Sequence, residues 1–109
     1  MKQCSTDAVG SWGVVRLGGE VDLSWSQQVR RAVLDALSAH AKVAVDLAKV
    51  SYIDSSGIAA LVEGFQSARG KGQSFVLIEV SDAVLAVLRL ARLDKVFSIH
   101  KSIEEADRA

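Results

Sequence analysis

The chain has no proline, one cysteine and only two histidines, and each shortage removes a class of protein. A single thiol, Cys4, rules out an internal disulfide framework and a cysteine-rich zinc site, and fits a reducing compartment. With His40 and His100 as the only imidazoles and the carboxylates scattered, no spacing of the zinc or calcium type occurs, so no metal and no other cofactor is expected. Charge of one sign is also missing. Thirteen Lys and Arg face thirteen Asp and Glu, so no global field draws the chain to nucleic acid or anionic lipid, and any partner is recognised locally. No apolar run approaches the roughly 18 residues of a membrane span. Residues 2–7, Lys-Gln-Cys-Ser-Thr-Asp, are too polar for a secretory signal, and the expected location is cytoplasmic.

What is present is a packed core. Half of the 109 residues are hydrophobic, and no low-complexity tract or linker divides them, so one domain over 1–109 is expected. Two short strands flank a turn at Gly10-Ser11; the second runs from Trp12 to Leu17, where Gly18-Gly19 interrupts it with a bulge or a close backbone approach. Ser24 and Gln27 form a capping-box pattern for a helix reaching about His40, with Val29, Ala32/Val33 and Ala36/Leu37 as its apolar stripe. A strand follows at 42–47. The spacing of Ile58, Leu61/Val62, Phe65 and Ala68 predicts a helix from Ser55 to about Gly70. Phe75 to Val80 reads as a central strand covered on both faces. Ser81 or Asp82 then caps a helix with the stripe Val84/Leu85, Leu88 and Ala91, Val96 to His100 is the last strand, and Ser102 with Glu105 starts a short terminal helix. This order describes an α/β domain with about four helices and a mixed, mostly parallel sheet of four to five strands, the first hairpin being an antiparallel edge. Trp12, Trp25 and Phe97 are expected in the core or at its edge, although an exposed Trp25 beside Asp22 could anchor a partner.

In parallel sheets, sites gather where strands end and helices begin, and Asp22 and Asp54-Ser55 fall at such positions. Around the second of these the sequence reads Tyr52-Ile53-Asp54-Ser55-Ser56-Gly57-Ile58. One small polar residue suffices to cap a helix. Here three stand in a row, followed by a glycine that lets another backbone approach closely, so both an N-cap and a functional site fit this stretch. Enzyme patterns do not. A nucleophile elbow, G-x-S-x-G, needs glycine where Ile53 stands. The Gly70-Lys71-Gly72 stretch follows a helix, whereas a phosphate-binding loop precedes one. A phosphoacceptor aspartate of the response-regulator kind needs an acidic pair after the first strand, and Asp22 stands alone.

Nearly the whole chain resembles a STAS domain of the anti-sigma factor antagonist (anti-anti-sigma) family. The likeness rests on Gly19-Glu20-Val21-Asp22, Val45-Asp46-Leu47, the Asp54-Ser55-Ser56-Gly57 motif and Leu90-Ala91-Arg92-Leu93-Asp94-Lys95-Val96-Phe97. At Ala91-Arg92 the family usually has Ser-Gly or a similar small pair. The resemblance implies a switch that is not an enzyme. It implies phosphorylation at Ser55, with Ser56 as the secondary candidate, and partner binding through Asp22, Asp54, Ser55, Ser56 and Gly57. The implied partners are an anti-sigma factor that is also a serine-protein kinase, and a serine phosphatase; a monomer is favoured. A STAS subunit regulating the ATPase of a lipid-transport ABC system is the alternative.

Overall fold

The computed structural model describes residues 2–109. Its five-stranded sheet has the order β1-β2-β3-β4-β5. Strands β1 (Gln3–Val9) and β2 (Trp12–Val21) form the antiparallel hairpin, while β3 (Lys42–Ile53), β4 (Ser74–Ile78) and β5 (Ser98–His100) continue the sheet in parallel. The crossovers are α1 (Ser26–Ala39), α2 (Ser55–Gly70) and α3 (Asp82–Leu90), and α4 (Ile103–Arg108) ends the chain. The expected α/β class and mixed, mostly parallel sheet are what the chain forms.

Alternation along the strands sends apolar side chains to both faces. On one face Val15, Leu17, Val43, Val45, Leu47, Phe75 and Leu77 meet Val29, Val33 and Leu37 of α1, Ile58 and Leu61 of α2, and Val84 and Leu88 of α3. On the other, Trp12, Val14, Ala44, Val76 and Ile78 meet Ala106 and Ile103 of α4, and Trp12 Nε1 donates to Asp107 Oδ1 at 2.9 Å to pin that helix. Full burial of each aliphatic side chain contributes about 1.5–3 kcal/mol, so these two layers hold the strand ends in place.

Several boundaries differ from the sequence reading, each for a local reason. Strand β2 does not stop at Leu17. It continues through Gly18-Gly19 to Val21, with Gly19 at φ +85°, a conformation open to glycine. Strand β3 runs to Ile53 because register shifts opposite Arg16/Gly18 and Gly19/Glu20 give it extra residues; Leu47, Val50 and Ile53 are buried while the residues between them are exposed, a period of three that hides the strand. Strand β5 begins only at Ser98, and Phe97 turns into the core, edge-to-face with Phe65 at 5.6 Å. Ala91 follows the end of α3 and is exposed. Trp25, by contrast, is in the core as expected, at 6% exposure, and not the exposed anchor of the alternative reading.

Candidate phosphoacceptor site

Strands β2 and β3 end side by side. Val21 pairs with Ile53 in the last rung of their ladder, and the Asp54 N–H donates to the Val21 carbonyl at 3.2 Å. The next residue on each strand is an aspartate, so Asp22 and Asp54 come to one rim, near enough for the charge of Asp22 to act on the Asp54 carboxyl.

The two aspartates build the same hook. Asp54 Oδ1 accepts from the Ser56 hydroxyl at 2.6 Å, the Ser56 N–H at 2.9 Å and the Gly57 N–H at 3.2 Å, and its carbonyl accepts from the Ile58 N–H at 3.0 Å. This is a side-chain N-cap of α2. Asp22 Oδ1 accepts from the Ser24 hydroxyl at 2.5 Å and the Ser24 N–H at 3.0 Å, and its carbonyl accepts from the Ser26 N–H at 2.9 Å. Ser24 therefore does not cap α1 as the capping-box pattern suggests; its hydroxyl is used by Asp22, and α1 has no side-chain cap bond at Trp25.

The hooks also set the electrostatics. The Ser56 hydroxyl, then the Gly57 and Ser56 N–H groups, hold the Asp54 carboxyl below the usual aspartate range against desolvation and the charge of Asp22. The Ser24 hydroxyl, then the Lys2 ammonium, do the same for Asp22. Lys2, which the sequence did not single out, reaches Ser24 Oγ at 2.7 Å and Asp22 Oδ1 at 3.4 Å, and lies 5.8 Å from the centre of the Trp25 ring. Both carboxylates are ionised at neutral pH.

Ser55 and Ser56 have separate roles in this geometry. Ser55 is exposed, and no hydrogen bond among the described residues engages its hydroxyl, whereas the Ser56 hydroxyl is committed to Asp54. Gly57, grouped by the motif with the partner-binding residues, is buried. A Cβ there would lie 2.7 Å from Ile53 Cγ1, 2.8 Å from Val21 Cγ1 and 2.9 Å from the Val21 carbonyl oxygen. The absence of a side chain there lets α2 pack against the strand ends. The first turn of α2 carries no acidic residue of its own; the Ser56 and Gly57 N–H groups are taken by the Asp54 carboxylate, and the helix dipole is what remains to favour an added anion.

His40 packs against Gly13, and His100 lies with Nδ1 3.5 Å from Glu105 Oε1. Among the described residues no three His, Cys, Asp or Glu side chains gather as a metal site, and no helix is long and apolar enough to cross a membrane.

Known proteins share this arrangement of strands and helices. The anti-sigma-B factor antagonist of Listeria monocytogenes is 27% identical over 105 residues, covering 95% of this chain and 88% of that protein. The structure of an anti-sigma factor antagonist from Mycobacterium paratuberculosis superposes with a TM-score of 0.87 at 20% identity, over 97% of this chain and 91% of that one. For the Bacillus cell fate determinant SpoIIAA in its phosphorylated form the TM-score is 0.74 at 21% identity, over 97% and 98% of the two chains. The family model described as "Mlab, STAS domain" matches residues 4–101, and with the fold and the likeness to the antagonists in agreement, this chain belongs to the STAS domain family.

Proposed function

We propose that this STAS domain is an anti-sigma factor antagonist switched by phosphorylation at Ser55. Unphosphorylated, it binds an anti-sigma factor that is also a serine kinase, through the rim of Asp22, Asp54, Ser55 and Ser56. Phosphate on Ser55 releases it, and a serine phosphatase restores the binding form. The observation that carries this reading is the free, exposed Ser55 hydroxyl between an ionised carboxylate and a committed serine at a helix start.

The physics of the switch is electrostatic and steric. A phosphoryl group adds about −1.5 to −2 charges, here beside two ionised carboxylates. A like-charge pair about 4 Å apart costs about 4 kcal/mol at an effective dielectric near 20, while about 2.7 kcal/mol already changes affinity a hundredfold. The α2 N-terminus offsets part of this by ~0.3–1 kcal/mol. The fold therefore tolerates the phosphate, whereas a desolvated interface does not.

Capture from native cell extract on immobilised wild type, Ser55→Ala and Ser55→Asp, with mass spectrometry of the retained proteins, tests the reading. Retention of a serine kinase by wild type and Ser55→Ala, with loss on Ser55→Asp, is expected. The description of the matching family model as Mlab, not as an antagonist, favours one second reading, a STAS subunit regulating the ATPase of a lipid-transport ABC system. Retention of an ABC ATPase in place of a kinase would establish it.

A further inference from the structure

The twin hooks place one residue each in the same position: Leu23 lies between Asp22 and Ser24 as Ser55 lies between Asp54 and Ser56. In both hooks the aspartate Oδ1 holds the N–H and hydroxyl of the serine two residues on. The middle residue is thereby turned outward. Ser55 is exposed, and Leu23 is 75% exposed, on a chain that buries most of its large apolar side chains. A serine hydroxyl there is explained by the proposed switch. An outward leucine is not explained by the fold.

Leu23 rims a groove of about 240 Å³ between the N-terminal parts of α1 and α2, with Gln27 on one wall and Ser56 and Ala59 on the other. At its far end Arg30 Nε donates to Glu63 Oε2 at 2.6 Å. Because Ser56 lines the groove and its hydroxyl also donates to Asp54 beside Ser55, the groove is continuous with the proposed switch surface. Its volume is below the roughly 300–1,000 Å³ of small-molecule sites, so it suits a protein side chain better than a nucleotide.

We infer that Leu23 is the apolar anchor of the kinase-type anti-sigma partner, taking an apolar side chain of that partner into the groove between α1 and α2. This inference rests on the proposed function and identifies which residue gives that surface its affinity. Burying Leu23 also removes water from the adjoining Asp22–Asp54 rim. Charge repulsion strengthens as the local dielectric falls, so the anchor makes phosphorylation at Ser55 a more effective release.

The test uses the purified serine kinase identified by the Ser55 capture experiment, titrated against the 109-residue wild type, Leu23→Ser, Leu90→Ser and Ser55→Asp. Leu90, on α3, is 88% exposed and reports the loss of an outward leucine elsewhere. Leu23→Ser is expected to weaken binding by roughly ten- to a hundredfold, the range for one fully buried leucine side chain, with Leu90→Ser unchanged. It is also expected to narrow the affinity ratio between unphosphorylated and phosphorylated protein. Circular dichroism of each variant should match wild type, because both leucines lie outside the core. Binding by Leu23→Ser within twofold of wild type, or equal losses in both leucine variants, overturns the anchor while leaving the switch intact if Ser55→Asp still binds more weakly than wild type. Capture of no serine kinase overturns both.

Discussion

Val21 and Ile53 face each other in the last rung of the parallel β2–β3 ladder, and that rung brings Asp22 and Asp54, thirty-two positions apart in sequence, to one rim. With Gly57 seated against both partners, the start of α2 is held rigidly to the strand ends. A rigid base of this kind suits a switch that works by changing surface charge.

Ser55 is expected to be the principal phosphoacceptor. Incubation with the cognate kinase and ATP, followed by peptide mass mapping, should find phosphate on Ser55 in wild type, none in Ser55→Ala, and retained phosphorylation in Ser56→Ala. Phosphate chiefly on Ser56 would show that its bond to Asp54 activates that hydroxyl.

Asp22→Asn is expected to impair partner binding or phosphate transfer while leaving the fold intact, since its carboxylate is at the surface and organises only the Ser24 hook and Lys2. Calorimetric titration and a phosphorylation time course check this. Wild-type affinity and rate would reduce Asp22 to a turn residue.

Gly57→Ala is expected to destabilise the domain by about 1–3 kcal/mol, the usual cost of overpacking. The added methyl must displace Ile53, Val21 or the Val21 carbonyl, and the last of these is backbone. Urea unfolding measures the change, and a midpoint equal to wild type would mean that α2 shifts freely.

Acid should weaken the fold through the two hooks. Both aspartates have their pKa lowered in the folded state, so each contributes stability above the ordinary aspartate value of about 3.9, and that stability is lost as pH falls through the folded values. Urea midpoints should therefore fall as pH drops below about 4, less steeply in Asp54→Asn than in wild type. Equal slopes would show that Asp54 titrates alike in the folded and unfolded chain.

Ser55→Asp is expected to weaken binding less than phosphorylation does, because it brings one charge where phosphate brings nearly two and more bulk. Higher ionic strength should partly restore the Asp variant, since exposed charges are screened over about 10 Å at 0.1 M salt, and should hardly restore the phosphoprotein. Calorimetry at two salt concentrations, with circular dichroism as a folding control, reads both effects. Loss of the native spectrum on phosphorylation would contradict a rigid switch.

The sequence by itself determined the element order, the mixed sheet and the position of the Asp54-Ser55-Ser56 helix start, because periodicity and cap chemistry act over a few neighbouring residues. It missed what depends on contacts between distant segments. The full length of β3 was hidden because its register shifts replace the period of two with three. The outward Leu23 and the Lys2 contact with Asp22 were set by how the β2–α1 connection meets the first strand and α2. Asp22-Leu23-Ser24 and Asp54-Ser55-Ser56 share the pattern Asp-x-Ser, but the sequence by itself did not single it out, because only the structure shows each serine turned back onto its aspartate. That the two copies form one surface was decided only by the parallel register of β2 and β3, which sets strand ends side by side through backbone hydrogen bonds whose pairing no local signal specifies.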